Sequence, residues 1–351
     1  MATSTALPSQ VRVTVPTVRT CYDLMTVASV CGVTDLTDGK YVDDRNDRTA
    51  YLAAQERQAE YLLDQAGCGP GTRLLDIGCG YGRILEHASR RGAAALGITI
   101  SPPQVAHCRA RGLAVHELNY RAIFADVGRT ILSVDQGPTI ASVEPTDRIV
   151  RPTVEQWDGA FDAIVANGSL EHFVQAADAA AGRADEVYEE LFAICRRLLV
   201  DGGRFVTTAI HFRQARQFDA CEILRGPYAF PRRTPNYQFA MLVERFGGWY
   251  PEPGQLERCA AGHFELVHEE DGTHDYHLTS EYWLRRFQRK LAYDPRVWWA
   301  VARQLSQRPR AAWEMLRLQL SDQSWAWQFR EPAPMRLLRQ TWLAKSPETA
   351  L

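Results

Sequence analysis

Asp76, Gly78, Gly80 and Gly82 stand at alternate positions in LLDIGCGYGRILEHASRRG (74–92), between an apolar run and an amphipathic one. An acid followed by three positions without side chains, placed where a strand hands over to a helix, lets bare backbone lie against a ligand. The unpaired N–H groups of a helix N-terminus point that way. The spacing departs from the dinucleotide fingerprint, which sets its third glycine two residues later and ends its second strand with an acid. Here that strand ends GITIS. A second constellation, ANGSLEHF (166–173), follows another apolar run and puts Glu171 and His172 where a strand ends, the usual ligand-binding edge of α/β sheets. The plain alternative is a solvated loop pair. His274 and His277, spaced i, i+3 with no cysteine beside them, read as surface or packing residues, and no metal is expected.

The elements that must carry these groups follow from periodicity. An amphipathic stretch, RTAYLAAQERQAEYLLDQAG, ends at glycines and Pro70. Strand RLLDIG, the glycine turn, helix GRILEHASRRG and strand AALGITI then form a βαβ unit, which favours a parallel sheet with a right-handed crossover. Helix SPPQVAHCRARG, strand LAVHELNY, strand FDAIVAN, helix ADEVYEELFAICRRLL, turn VDGG and strand RFVTTAI continue the alternation through five strands. HFELVHEED and PMRLLRQTWLAK read as the last two strands. The organisation expected is an arm and helical cap over 1–70, a cofactor-binding α/β core over 71–211 with an irregular insertion at 124–159, a lid over 212–262, and C-terminal helices with the last strands over 263–351.

The net charge of −2 argues against general nucleic-acid binding, which needs a surplus of Lys and Arg. No apolar stretch reaches the roughly 20 residues of a membrane span, and the N-terminus has no signal-peptide pattern, so a cytoplasmic protein is expected. Eight cysteines without a CxxC pair read as reduced, mostly buried thiols. Between Trp283 and Lys345, 13 Lys/Arg face 4 Asp/Glu, and seven of the nine tryptophans fall in the same stretch. Such a region suits contact with anionic lipid or an acidic acyl carrier, and equally suits cationic helices whose Trp faces are core.

LLDIGCGYG resembles motif I of class I S-adenosylmethionine-dependent methyltransferases, and four further stretches narrow the resemblance to the cyclopropane-fatty-acid-synthase and mycolic-acid methyltransferase branch. GITISPPQ is similar to that branch's G-x-T-L-S-x-x-Q, NYR (119–121) to its D-Y-R, ANGSLEHF to its S-x-G-x-F-E-H-F, and YHLTSEYW (276–283) to its Y-A-x-T-L-x-x-W. The resemblance implies a Rossmann-like α/β fold with a seven-stranded methyltransferase sheet, an N-terminal helical segment and a lid inserted after the fifth strand. It further implies S-adenosylmethionine held by Asp76, Gly78, Cys79, Gly80, Gly82, Thr99, Ser101, Gln104, Asn119 and Tyr120, with Tyr41 either closing over the cofactor or capping the core.

In the branch, an alkene attacks the sulfonium methyl and a bicarbonate ion removes a proton from the resulting carbocation. Glu171 and Tyr276 fall on positions that grip that ion, Ile210 on one that offers backbone, and His172 is the remaining catalytic candidate. A carboxylate beside an anion requires one of them to be protonated, so Glu171 is expected to be neutral or a direct base. Two departures bear on the bicarbonate: Thr208 replaces a histidine, and TDGKYVDD stands where the branch has a Y-S-C-A-Y-F segment. His211 or His172 would have to replace the missing donor. The function implied is C-methylation of an unsaturated lipid or acyl chain, at a membrane surface if the basic region docks there, with a homo-oligomer compatible. The alternatives are methylation of a smaller polyketide, terpenoid or aromatic acceptor, or a non-methylating cyclase.

Overall fold

The computed structural model describes residues 26–33, 36–123 and 157–346. The N-terminal arm and nearly all of the 124–159 insertion lie outside them. Seven strands form one sheet in the order β3-β2-β1-β4-β5-β7-β6. β1 (Arg73–Ile77), β2 (Ala94–Thr99), β3 (Val115–Glu117), β4 (Phe161–Asn167) and β5 (Leu199–Phe212) are parallel, whereas β7 (Met335–Ala344) inserts antiparallel between β5 and β6 (Phe264–Asp271). This is the expected α/β methyltransferase sheet. The expected VDGG turn is taken up within β5: Leu199 pairs with Phe161 and Arg204 with Ala163, so an excess of residues bulges out with Gly202 at φ 71°.

Alternation along the strands sorts the core onto two faces. Leu74, Ala163, Val165 and Val206 pack with Leu62 and Leu63 of α2 (Arg48–Gln65) and Ile84 and Ala88 of α3 (Arg83–Arg90). Leu75, Ile77, Ile164 and Phe205 lie in the larger cluster with Leu191 and Phe192 of α6 (Ala184–Leu198). Between these helices come α4 (Pro102–Ala110) and α5 (Ala176–Ala180).

Residues 212–262 carry α7 (Ala220–Ile223), α8 (Pro235–Phe246) and α9 (Gln255–Ala260). Most of their aromatic rings pack inward: Phe239 lies 4.5 Å from Phe218 and 5.3 Å from Phe212. After β6 come α10 (Thr273–Tyr293), α11 (Pro295–Gln307), α12 (Pro309–Arg317), a π turn (Leu318–Asp322) and α13 (Ser324–Trp327). With α1 (Thr26–Val30) they stand over the C-terminal ends of β4 and β5.

One buried ion cluster joins the two ends of the described chain. Arg339 on β7 is 1% exposed and bonds Asp38 Oδ2 at 2.6 Å, Glu270 Oε1 at 2.7 Å and Asp275 Oδ2 at 2.7 Å. Gln58 of α2 donates to the other Asp38 oxygen at 3.1 Å, and Gln55 to the Thr37 carbonyl at 3.0 Å. The strap 37–41 is thereby fixed between α2, β7 and α10.

Candidate active site

The three loop glycines are required for two different reasons. A Cβ on Gly78 would sit 2.8 Å from the Ser169 Cβ, and one on Gly82 2.5 Å from Leu113 Cδ1. Gly80, at φ 53°, has no neighbour within 4 Å on that side. Gly78 and Gly82 therefore serve packing, and Gly80 faces open space. The N–H groups of Gly78 and Cys79 both donate to the Ile98 carbonyl, and that of Gly82 to Cys79, so the turn holds itself without a ligand. The Cys79 thiol turns inward against Gly97, Leu85 and Cys108, and the hydrogen bond with Cys108, then burial, push its pKa far up. It offers a ligand backbone only.

Around this opening, Asp76 is buried at the end of β1, in register with Gly97 and Val165. Thr99 Oγ1 donates to Gln104 Oε1 at 2.7 Å, which turns the Gln104 amide nitrogen away from Thr99. The Ser101 N–H donates to Thr99 at 3.3 Å. Asn119 is exposed, and its Oδ1 accepts from the Arg121 N–H at 3.0 Å, so it caps the short turn Tyr120–Ile123. Tyr120 is buried and stacks on Phe173 at 4.5 Å; its hydroxyl has no hydrogen-bond partner, and burial pushes its pKa to about 12. Tyr41 is half-buried, with its N–H on Asp275 Oδ1 at 2.8 Å and its ring beside Gly39. The open glycine, the buried acid and the oriented amide fit a small zwitterionic ligand such as S-adenosylmethionine.

Ser169, pressed on Gly78, belongs to the same loop as Gly168, Glu171 and His172, which line a cavity of about 1250 Å³ including its open mouth. The cavity is walled by Cys31, Val33 and Leu36 near α1, by Tyr276, Trp283 and Phe287 of α10, and by residues of α11 to α13. Of residues 212–262, Phe246 lines it; the rest of the cover comes from segments near both ends of the described chain, and most aromatic rings of 212–262 pack in the core.

Glu171 is 4% exposed, and its Oε2 has no hydrogen-bond partner. Burial pushes its pKa to about 8; its own N–H and that of Ile210 pull the other way, while the Asp38 charge adds to the rise. His172, beside it, is held neutral, with burial lowering its pKa to about 4. Tyr276 is buried against Phe329, 4.3 Å away, with Trp283 at 6.0 Å and Trp325 at 6.3 Å edge-on. Glu171, His172 and Tyr276 thus share one cavity, beside the glycine loop.

The bicarbonate does not fit the donors present. Ile210 offers its N–H to Glu171 itself. Thr208 Oγ1 donates to Asn167 Oδ1 at 2.8 Å and accepts from the Gly168 N–H at 2.8 Å. In the strap, the N–H groups of Gly39, Lys40 and Tyr41 go to Thr279, Ala54 and Asp275. Of the two histidine substitutes, His172 lines the cavity but is held neutral and bonds the Phe246 backbone, while His211 is buried in β5, does not line the cavity, and is held neutral with a pKa lowered to about 3 by burial. An anion here would meet donors already committed and the buried charge of Asp38.

Two site elements escaped the sequence reading. Gly248, at φ 87°, lies so close that a Cβ would come within 2.0 Å of the Glu171 carbonyl, so it seats the acid. Asp38 and Arg339 fix the strap beside it; the only signal was an arginine inside the apolar pattern of β7.

The mycolic acid cyclopropane synthetase family model matches residues 42–126. Cyclopropane mycolic acid synthase 2 of Mycobacterium leprae (strain TN) is 29% identical over 210 residues, 59% of this chain and 58% of that protein. The chain thus aligns with about half the length of the curated relatives it matches most strongly. Among solved structures, the cyclopropane synthase MmaA2 from Mycobacterium tuberculosis superposes with a TM-score of 0.66 at 18% identity, covering 93% of this chain and 97% of that one. Mycolic acid cyclopropane synthase CmaA1, complexed with SAH and CTAB, gives 0.63 at 21% identity, covering 94% and 98%. The chain is thus similar to the mycolic acid cyclopropane synthetase family over residues 42–126, and it shares the fold of the cyclopropane synthases MmaA2 and CmaA1 over nearly its whole length.

Proposed function

We propose that the chain methylates an alkene carbon of an acyl chain and that Glu171 itself takes the proton released. The observation that carries this is the unpartnered, buried Glu171 Oε2 in the wall of a largely apolar cavity that adjoins the glycine loop. Bound S-adenosylmethionine supplies a methyl group already activated on a sulfonium. Asp76, Gly80, Thr99 and Gln104 hold and orient it, and alignment of methyl and alkene provides most of the rate.

The apolar wall seats the alkene and excludes water. The ring faces of Tyr276, Trp283 and Trp325 stabilise the cation left on the substrate after methyl transfer. A positive sulfonium nearby favours the ionised form of Glu171, so the neutral buried acid becomes a carboxylate when the cofactor is in place. It then accepts the proton, giving a ring if the proton leaves the new methyl group, or a methylene or alkene product otherwise. No step requires a carbonate.

A smaller, oxygen-bearing acceptor is the second reading. It is favoured by Gln319, Gln323 and Ser280, polar groups that an aliphatic chain does not use, in the same cavity wall. Incubation with labelled S-adenosylmethionine and monounsaturated phospholipid, followed by mass spectrometry of the acyl chains, tests the proposal. A gain of one CH2 in the acyl chain supports it; unchanged lipid with label in a small acceptor selects the second reading; product without label means a cyclase.

A further inference from the structure

The helices that wall the cavity carry an outer face with a different composition. Residues 284–317 contain nine Lys/Arg and two acids, Asp294 and Glu314. Both acids are buried, Asp294 under Lys290 and Arg296 and Glu314 under Arg310 and Arg245. The exposed charge of this stretch is therefore entirely positive. Arg48, Arg285, Arg286, Arg289, Lys290 and Arg296 line one shallow groove on it, together with the acids Asp47 and Asp294.

The same helices carry four exposed aromatic side chains, of which Tyr293 lines the groove. Tyr293 is 81% exposed, Trp299 74%, Trp313 58% and Trp298 50%. Trp283, Trp325 and Trp342 are half-buried or buried, so the two sequence-level readings of the Trp-rich stretch divide between its inner and outer faces. α10, α11 and α12 are amphipathic across this division: Leu284, Phe287, Val301 and Met315 face the cavity, and Arg289, Trp299, Arg303 and Trp313 face solvent.

We propose that this outer face is a docking surface for an anionic lipid bilayer, so that the cavity walls stand on the membrane that supplies the acyl chain. Indole rings are at home at headgroup depth, and each Lys or Arg near such a surface contributes about 1 kcal/mol at moderate salt. The face does not suit a second copy of the chain, because a two-fold contact would set one strongly positive surface against itself. The inference rests on the acyl-chain reading above, and binding is measured apart from turnover.

Sedimentation with phosphatidylglycerol or phosphatidylcholine vesicles, read together with tryptophan emission, tests it. The expected result is binding to phosphatidylglycerol about tenfold or more tighter than to phosphatidylcholine, with blue-shifted emission and weakening by salt. Trp299→Ser with Trp313→Ser, and separately Arg289→Gln with Arg303→Gln, are expected to weaken it by about tenfold or more. All four residues are exposed, so the fold, and turnover of a short dispersed acceptor, should be unchanged in both variants. Equal binding to both vesicles, variants that bind as the parent does, dimerisation through this face, or capture of an acidic acyl carrier protein without vesicle binding would each overturn the proposal. Vesicle binding without lipid methylation would overturn the acyl-chain reading and leave the surface standing. Methylation of a dispersed acceptor without vesicle binding would do the reverse.

Discussion

At the glycine loop the site is backbone, whereas across the loop 167–172 the acceptor cavity is side chain. The loop is closed by its own hydrogen bonds between Gly78, Cys79, Gly82 and Ile98, and its one open position is a glycine at positive φ. The cavity has no such local logic: its wall is assembled from α1 and the residues after it, the β4 loop and α10 to α13, and its acid is seated by Gly248 from a third place in the chain. A backbone site is specified within a few residues and tolerates change outside them. A side-chain site is specified by packing, and its determinants lie wherever the fold brings them.

The largest effects are expected on the cavity side. Glu171→Gln should lower kcat by about 100-fold or more, the usual range for losing a general base, while S-adenosylmethionine binding measured by calorimetry stays close to the parent's. In the parent, kcat/KM should climb as pH rises through about 8, because the ionised form is the base; the kcat limb should lie lower, since the bound sulfonium favours that form. A pH profile unchanged in the Gln variant would remove Glu171 from the chemistry.

The same shift has a stability sign. A carboxyl whose folded pKa exceeds its ordinary 4.5 binds its proton more tightly when folded, so its contribution is lost as pH rises from about 4.5 to 8. Denaturant titrations at several pH values should show Glu171→Gln more stable than the parent at pH 8 and above. The opposite order would mean that the carboxylate is well solvated.

Arg339→Met strips the counter-charge from Asp38, Glu270 and Asp275 and should cost about 3–5 kcal/mol at pH 8. Urea unfolding would reveal a smaller figure if Asp38, whose pKa burial pushes to about 6, simply protonates. On the backbone side, Gly80→Val should raise the S-adenosylmethionine Kd by about tenfold or more with little loss of stability beyond the strain of its positive φ, since nothing of the protein lies within 4 Å. Unchanged affinity would show that the open position does not face the cofactor. The smallest effect expected is none: turnover in carbonate-depleted and carbonate-supplemented buffer should agree, and a rise with carbonate would show that the committed donors rearrange around the ion.

This contrast also explains what could be read before the fold was known. β1 to β5, the glycine turn and the last two strands follow from period-2 apolar runs and from Gly and Pro breakers, which are local signals. Glu171 was legible because its loop follows a strand, and Tyr276 because its helix repeats a known pattern. The cover was not: TDGKYVDD gave no sign that Asp38 answers an arginine 301 residues away. Nor does composition tell which aromatic rings of 212–262 pack on the sheet and which, like Phe246, reach the cavity. Asn119 illustrates the converse, a residue matched by pattern whose side chain is engaged in capping the next turn.

The Arg339 clamp also sets an order of assembly. β1 to β4 find their partners among residues 73–167, so the methyl-donor half can pair while the rest of the chain is still being synthesised. The strap cannot be pinned until β7 has been made, because Asp38 has no counter-ion before Arg339 arrives. A nascent chain therefore acquires its cofactor groove first and its acceptor chamber last, and any truncation that removes β7 leaves the strap beside the chamber unpinned.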